Sequence, residues 1–274
     1  MDIRLRESNC LRALVLYDWP EKFNVPAHPE FVVELVDDLA MHPTKASFFE
    51  RIANKELAKE TRRTLFKKTK LIDLMSSFPS CEGFELSAPI EKNFLNLLSD
   101  LQYEASNSDQ KYLVALPPEK LPLEIAIRHI RLLCSRVSPS YGFSRTSPCP
   151  EVLFFAGGHS NVGRPKEENF RAAALGQSRV RTKQHLAGKI LDVFELNVLS
   201  ETHLQNRVRG QALKSWILTG NHGVLVEVNK KVSVWLVPED IRQPIRARLW
   251  REGLFIDDSM PEIWKLDLSH IDPV

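Results

Sequence analysis

The 274-residue chain is short of the residues that announce a chemistry by themselves. Its four cysteines, Cys10, Cys81, Cys134 and Cys149, are widely spaced, with no CxxC pair and no histidine at zinc-finger spacing. They read as reduced structural thiols rather than as a metal or redox site. The eight histidines, at 28, 42, 129, 159, 185, 203, 222 and 270, never form HxH, HxxxH or HExxH. No metal site and no cofactor follow from their spacing. No apolar run approaches the roughly 18 residues of a spanning helix, and MDIRLRESNC lacks the basic start and apolar core of a secretory leader. The expectation is a cytoplasmic chain with no membrane partner. A formal net charge of +2 is too small to advertise a polyanion as the partner of the whole protein, so any such case rests on local patches.

The catalytic templates are missing as well. Gly-x-Ser-x-Gly is absent, and no cysteine lies in a recognisable nucleophile signature. Gly157-Gly158-His159 follows an apolar stretch, as a phosphate loop should. It lacks a Gly-Lys-Ser/Thr at P-loop spacing and a third glycine in the dinucleotide pattern, and Gly163-Arg164-Pro165 prevents a clean helix start. The adjacent carboxylates Asp37-Asp38 and Asp257-Asp258 diverge on any regular element and read as solvated surface. His129 reads as a boundary residue of an amphipathic helix, and His222 as a turn residue. An enzyme would need a site assembled from distant residues.

What is present is an ordinary globular balance, 43% hydrophobic and 26% charged, enough for one large core or two modest ones. Arg12 to Asp18 reads as a buried strand. His28 to Met41 reads as a docking helix with Phe31, Val32, Leu35 and Leu39 on one face and Pro29 in its first turn. Lys45 to Met75 predicts two helices or one kinked one. Pro89 to Tyr103 predicts an amphipathic helix, and EASNSDQ an exposed loop. KYLVALP and PEVLFFA predict strands, LPLEIAIRHIRLLCSRV a helix, and SPSYGF a turn. SETHLQ has the look of a short capped turn. GQALKSWIL predicts a helix burying Leu213, Trp216 and Ile217. GVLVEVNKKVSVWLVP predicts a hairpin around Asn229-Lys230-Lys231 with Val224, Val226 and Val228 on one face, and PEDIRQPIRARLWREGL a helix capped by Gly253.

The fold class that follows is α+β, a mostly antiparallel sheet packed with several helices and a helix-rich N-terminal half. Residues 1–274 read as a single unit, with a subdivision near residue 105 separating a helix-rich 1–105 from a mixed 106–274. No internal repeat or low-complexity linker interrupts it.

Two stretches concentrate positive charge. Lys55 to Lys70 holds seven basic residues against two glutamates, net +5, and would present a basic helical face. From Ala156 to Ile190 there is the same net +5, from Arg164, Lys166, Arg171, Arg179, Arg181, Lys183 and Lys189 against Glu167 and Glu168. Aromatic residues for stacking bases are not interleaved there, and Val162 stands where a minor-groove Gly-Arg-Pro motif needs a further basic residue. A basic excursion of about 30 residues suits recognition better than phosphate chemistry. Arg164, Lys166, Arg171, Arg179, Arg181 and Lys183 are the candidate contacts to a protein with an acidic surface. Nucleic acid, bound through 55–70 and 164–189, is the alternative partner.

Several segments together resemble bacterial immunity-type proteins, the α+β partners that neutralise toxins delivered by contact-dependent or type VI secretion systems. They are Ser138 to Phe143, Asp192 to Leu204, Val208 to Ile217, the hairpin, and Ile245 to Ile256. The resemblance covers roughly the second half. It departs at Arg209-Gly210, where a Gly-Gly would precede the Leu-x-x-Trp-Ile segment, and it transfers no functional residue. It implies a non-catalytic role in defence, the sequestering of a toxin-like partner.

Overall fold

In a computed structural model the chain is described over residues 10–19, 28–51, 58–64, 69–77, 83–89, 100–106, 111–148 and 184–256. It divides into two compact units, Met1–Ser138 and Pro139–Val274. The first unit is built on six strands: β1 (Cys10–Tyr17), β2 (Lys45–Arg51), β3 (Ala58–Thr64), β4 (Gly83–Pro89), β5 (Asp100–Ser106) and β6 (Lys111–Leu116). Their order is β1-β6-β5-β4-β2-β3, and the neighbours run antiparallel. In β1 and β6 the apolar residues run on without alternating. Leu14, Val15 and Leu16 in β1, and Leu113, Val114, Ala115 and Leu116 in β6, are all buried, as strands covered on both faces require. The register sets Leu14 against Val114 and Leu16 against Tyr112.

Three helices accompany this sheet: α1 (Pro29–Asp38), α2 (Thr69–Ser76) and α3 (Leu123–Leu133). Pro29 starts α1, where its missing N–H costs nothing, and the helix buries Phe31, Val32, Leu35 and Val36. α3 buries Ala126, His129, Ile130 and Leu133, one stripe at helical spacing. α1 packs against both α2 and α3.

The second unit contains β7 (Tyr141–Pro148), a 3-10 turn (Gln184–Ala187), β8 (Leu196–Ser200), α4 (Glu201–Gln205), the two-residue strands β9 (Arg207–Val208) and β10 (Gln211–Ala212), α5 (Leu213–Thr219), β11 (Val224–Glu227), β12 (Val232–Leu236) and α6 (Glu239–Arg251). Its sheet order is β7-β8-β12-β11, again antiparallel. α5 buries Leu213, Trp216 and Ile217, as its sequence predicts, and Gly253 ends α6 at φ 66.

The α+β class and the antiparallel pairing agree with the expectation; several elements do not. The first unit is not helix-rich, since its described residues hold six strands and three helices. The described residues between Lys45 and Met75 form the antiparallel strands β2 and β3 and the start of α2. In register, Phe48 stands opposite Thr61 of β3 on one side and Phe84 of β4 on the other. Non-local pairing thus overrides a helical spacing. The central part of the basic Lys55 to Lys70 stretch is accordingly the terminal strand β3, not a helical face. Of the helix expected over Pro89 to Tyr103, residues 90–99 lie outside the described residues, while Pro89 ends β4 and Asp100 to Tyr103 belong to β5, which pairs with β4 from Gly83↔Ser106 to Pro89↔Asp100. Glu104, Ala105 and Ser106 belong to β5 rather than to a loop, and Tyr141 to Phe143 open β7 rather than close a turn. The strand expected over Pro150 to Ala156 lies outside the described residues.

The hairpin forms, with Val224 opposite Leu236, but its buried strand is β12, where Val232, Ser233, Val234 and Trp235 are covered while Val224 stays 57% exposed. β12 has neighbours on both sides and β11 on one. The Asn229 side-chain oxygen accepts from the N–H groups of Lys231 and Val232 at 2.8 and 2.9 Å, which shapes the turn.

At the hairpin entrance Trp216 and His222 stack with ring centroids 3.6 Å apart, the His222 Nδ1 donates to the Trp216 carbonyl, and Trp235 Nε1 donates to the His222 carbonyl. Gly223 makes that close approach feasible. Its φ is +101, and a Cβ there would overlap the Leu236 carbonyl oxygen and lie 3.0 Å from Trp235 Nε1. Gly223→Ala is therefore expected to cost about 2 kcal/mol or more, read as a lowered urea midpoint. Gly210, at φ +79 with open space around its missing Cβ, should accept Asn within about 0.5 kcal/mol.

Candidate functional site

The six basic residues singled out by the sequence, Arg164, Lys166, Arg171, Arg179, Arg181 and Lys183, lie outside the described residues, as do Gly157-Gly158-His159, Asp257 and Asp258. What the structure does bring together is a set of polar side chains that no local spacing announces.

In the first unit the end of α1 meets α3. Arg128 Nε donates to Asp38 Oδ1 at 2.6 Å, and Arg128 also reaches the Asp38 carbonyl at 2.6 Å. His129 Nδ1 donates to Asp38 Oδ2 at 2.8 Å, and its Nε2 accepts from the Tyr112 hydroxyl of β6. Two earlier readings are corrected by this chain. His129 is not a boundary residue but fully buried, and Asp38 is not a solvated carboxylate, its side chain being only 14% exposed. The physical reason is distance in sequence: the two partners are 91 residues apart, so neither environment is visible locally. Burial holds His129 below its ordinary pKa despite the Asp38 carboxylate, which keeps the ring neutral. Burial works against the Asp38 carboxylate, yet the His129 and Arg128 contacts outweigh it and leave its pKa below the ordinary value.

In the second unit His203, the third residue of α4, plays the corresponding part. Its Nδ1 accepts from the Ser200 hydroxyl at 2.8 Å and from the Ser200 N–H at 3.4 Å, a capping box in which histidine takes the usual glutamate place. Its Nε2 donates to the Lys189 carbonyl at 3.2 Å, and its ring stacks on Tyr141 with centroids 5.4 Å apart. The short capped turn read from SETHLQ is this element. The Tyr141 hydroxyl accepts from the Leu191 N–H at 3.0 Å, and Asn206 Nδ2 donates to the Gly188 carbonyl at 2.7 Å. Burial lowers the His203 pKa from 6.5 to about 4.

Two further pairs fasten the same unit. Arg246 grips Asp192 with both arms, Nε to Oδ1 at 2.5 Å and the terminal nitrogen to Oδ2 at 3.0 Å. The buried Asn197 accepts from the Phe194 N–H and donates to the Phe194 and Trp235 carbonyls. Sequence reasoning missed Tyr112, Asp38, Tyr141, Asn197 and Asp192 as polar anchors. An asparagine inside the apolar run LNVLS was the one signal available for Asn197.

His129, Tyr112, His203, Tyr141 and Asn197 are buried and hydrogen-bonded to partners that fix backbone segments. Tyr112 and His129 have no exposed surface on which a substrate could dock. Cys10 and Cys134 are half-buried and in no disulfide, while Cys81 and Cys149 lie outside the described residues. Among the described residues no group of three or more His, Cys, Asp or Glu is placed to hold a metal ion, and no helix is long and apolar enough to cross a membrane.

No family model matches the chain, and no curated protein matches it in sequence. Among solved structures it is similar to the Pseudomonas aeruginosa T6SS protein PA0821, with a TM-score of 0.52 and 13% identity, over 90% of this chain and 76% of that one. At that identity the likeness is one of fold.

Two outcomes test the polar anchors. Asp38→Ala leaves the buried His129 Nδ1–H without an acceptor and should cost about 2 kcal/mol or more by chemical denaturation. Unfolded His203 titrates near 6.5 and folded His203 near 4, so the unfolded chain takes up the proton first. Stability should therefore fall as pH drops from 6.5 towards 4, by up to about 3 kcal/mol from this residue. His203→Gln should flatten that slope, and an unchanged slope would remove His203 as its source.

Proposed function

We propose that this protein is a non-catalytic binding protein of the immunity or defence type, which sequesters a partner protein in the cytoplasm. The observation that carries the reading is the fold likeness to a T6SS protein across 90% of the chain. The buried, internally satisfied polar chains fit it too, because they spend their titratable groups on holding backbone segments. The partner has an acidic surface. Arg164, Lys166, Arg171, Arg179, Arg181 and Lys183 supply charged contacts that steer association and help hold the complex.

The test is affinity capture of the tagged full chain from its native cells, with and without nuclease, at moderate salt. One stoichiometric protein that survives nuclease is expected. Recovery only of material that disappears with nuclease would overturn the reading in favour of nucleic acid. Replacing Arg164, Arg171, Arg179 and Arg181 with alanine should weaken binding to the captured protein by about tenfold or more and flatten its salt dependence. Unchanged affinity would take these residues out of the interface.

A further inference from the structure

We infer that the second unit carries a self-pairing edge: strand β11 joins β11 of a second copy of this chain, antiparallel, about a two-fold axis at Val226. This goes beyond the proposed binding role and stands on different residues.

β11 ends its sheet. Among the described residues β12 lies on one side of it and no strand on the other. The direction of its backbone groups follows from the ladder. The Val228 N–H donates to the Val232 carbonyl at 3.0 Å, and the register continues with Val226 opposite Val234 and Val224 opposite Leu236. On the other side of β12 the alternate residues take over. There the Val237 N–H donates to the Glu195 carbonyl at 3.0 Å, in line with Trp235 opposite Asn197. Successive residues of an antiparallel strand address opposite neighbours. Val224, Val226 and Val228 therefore bond inward to β12, and Leu225 and Glu227 turn their N–H and C=O groups to the open edge.

The side chains leave the same edge unfinished. Val224 and Val226 share a face of the sheet with Leu236 and Val234. That face is buried at Val232 and Val234, but it reaches the edge with Val226 half-buried and Val224 57% exposed. Proteins usually blunt such an edge with charge, proline or a bulge. The terminal strand of the first unit, β3, follows this rule with AKETRRT, four charged residues in seven. β11 is VLVE, with no proline, no lysine and a single charge at its end.

The occupant follows from the order of the residues. From Val224 to Val228 the sequence is VLVEV, with valine at the centre and two positions away in either direction. When two such edges pair antiparallel, their outward residues must face each other. The register that uses both sets Leu225 opposite Glu227 of the second copy and Glu227 opposite its Leu225, each pair exchanging both N–H···O bonds. Val226 then meets its counterpart on the axis and Val224 meets Val228, so valines from both copies close one face. A register that sets Glu227 against Glu227 is opposed by repulsion. One centred on Leu225 would need Gly223 in the ladder, and its φ of +101 takes it out of the extended conformation. The remaining interface reads the same from either copy, as a two-fold dimer requires. A strand pair this short covers less surface than a permanent interface, so the association is reversible, with a dissociation constant on the order of 100 µM.

The test is sedimentation equilibrium of the full chain from about 5 to 500 µM, where the mass should rise from one chain towards two. Glu227→Pro removes an outward N–H and leaves every bond to β12, and Val226→Lys sets two ammonium groups against each other on the axis. Each should weaken self-association by about tenfold or more while the second unit stays folded by circular dichroism. Cross-linking decides the matter even if a variant fails to fold. Oxidised Val226→Cys should link two copies, because a non-hydrogen-bonded pair brings the Cα atoms within disulfide range. Leu225→Cys and the wild type, with its four native cysteines, should not. A mass that stays that of one chain, association undiminished in folded Glu227→Pro, or linkage at 225 in place of 226 would overturn the inference. So would a foreign protein, recovered by affinity capture, whose binding Glu227→Pro abolishes while the pure chain remains a monomer, since the edge would then receive that protein's strand.

Discussion

Two buried imidazoles, His129 and His203, each find a hydrogen-bond partner on both ring nitrogens, and those contacts tie together distant segments within each unit. His129 meets it with Asp38 on one side and Tyr112 on the other, so that one ring joins the end of α1, the middle of α3 and strand β6. His203 meets it with Ser200 and the Lys189 carbonyl, joining α4 to the segment that runs beside the end of α6. Leaving either nitrogen unpaired costs as much as several ordinary surface contacts supply. Each ring therefore fixes its segments in place as well as filling space.

In the second unit the consequences spread outward from the ring. With Lys189 held, Ile190 can pair with the chain beyond α6, and the chain beyond α6 in turn presents Glu252 to the β9–β10 turn. The Arg246 grip on Asp192 anchors α6 to the same stretch of chain. The Ser200, Lys189 and Gly253 contacts thus link three stretches of the second unit that are far apart in sequence.

What the chain shares with the T6SS protein, at 13% identity across 90% of the chain, is the arrangement of sheets and helices. A sheet-and-helix frame of this kind tolerates wide change in its exposed residues, because its stability rests on continuous apolar strands such as β1, β6 and β12. Turns and helix ends can then differ between two proteins of this fold without disturbing the frame.

Local sequence determined the elements whose signal is local. The apolar run of β1, the stripe of α3, Pro29 at the start of α1, the Leu213-Trp216-Ile217 face of α5 and the Asn229 turn could all be read from residues within one or two turns of each other. The same holds for the α+β class. Tertiary structure alone decided that β2 and β3 are paired strands, because the spacing of Phe48 and Phe49 suits a helix as well as a strand until β4 lies beside it. It alone made Asp38 and His129 partners across 91 residues. It alone brought Lys189 to the Gly253 carbonyl and the Arg209 N–H to Glu252, pairs 64 and 43 residues apart. Hydrophobic period and turn chemistry are properties of neighbours along the chain, whereas the pairing of buried polar groups depends on which distant segments the core brings into contact.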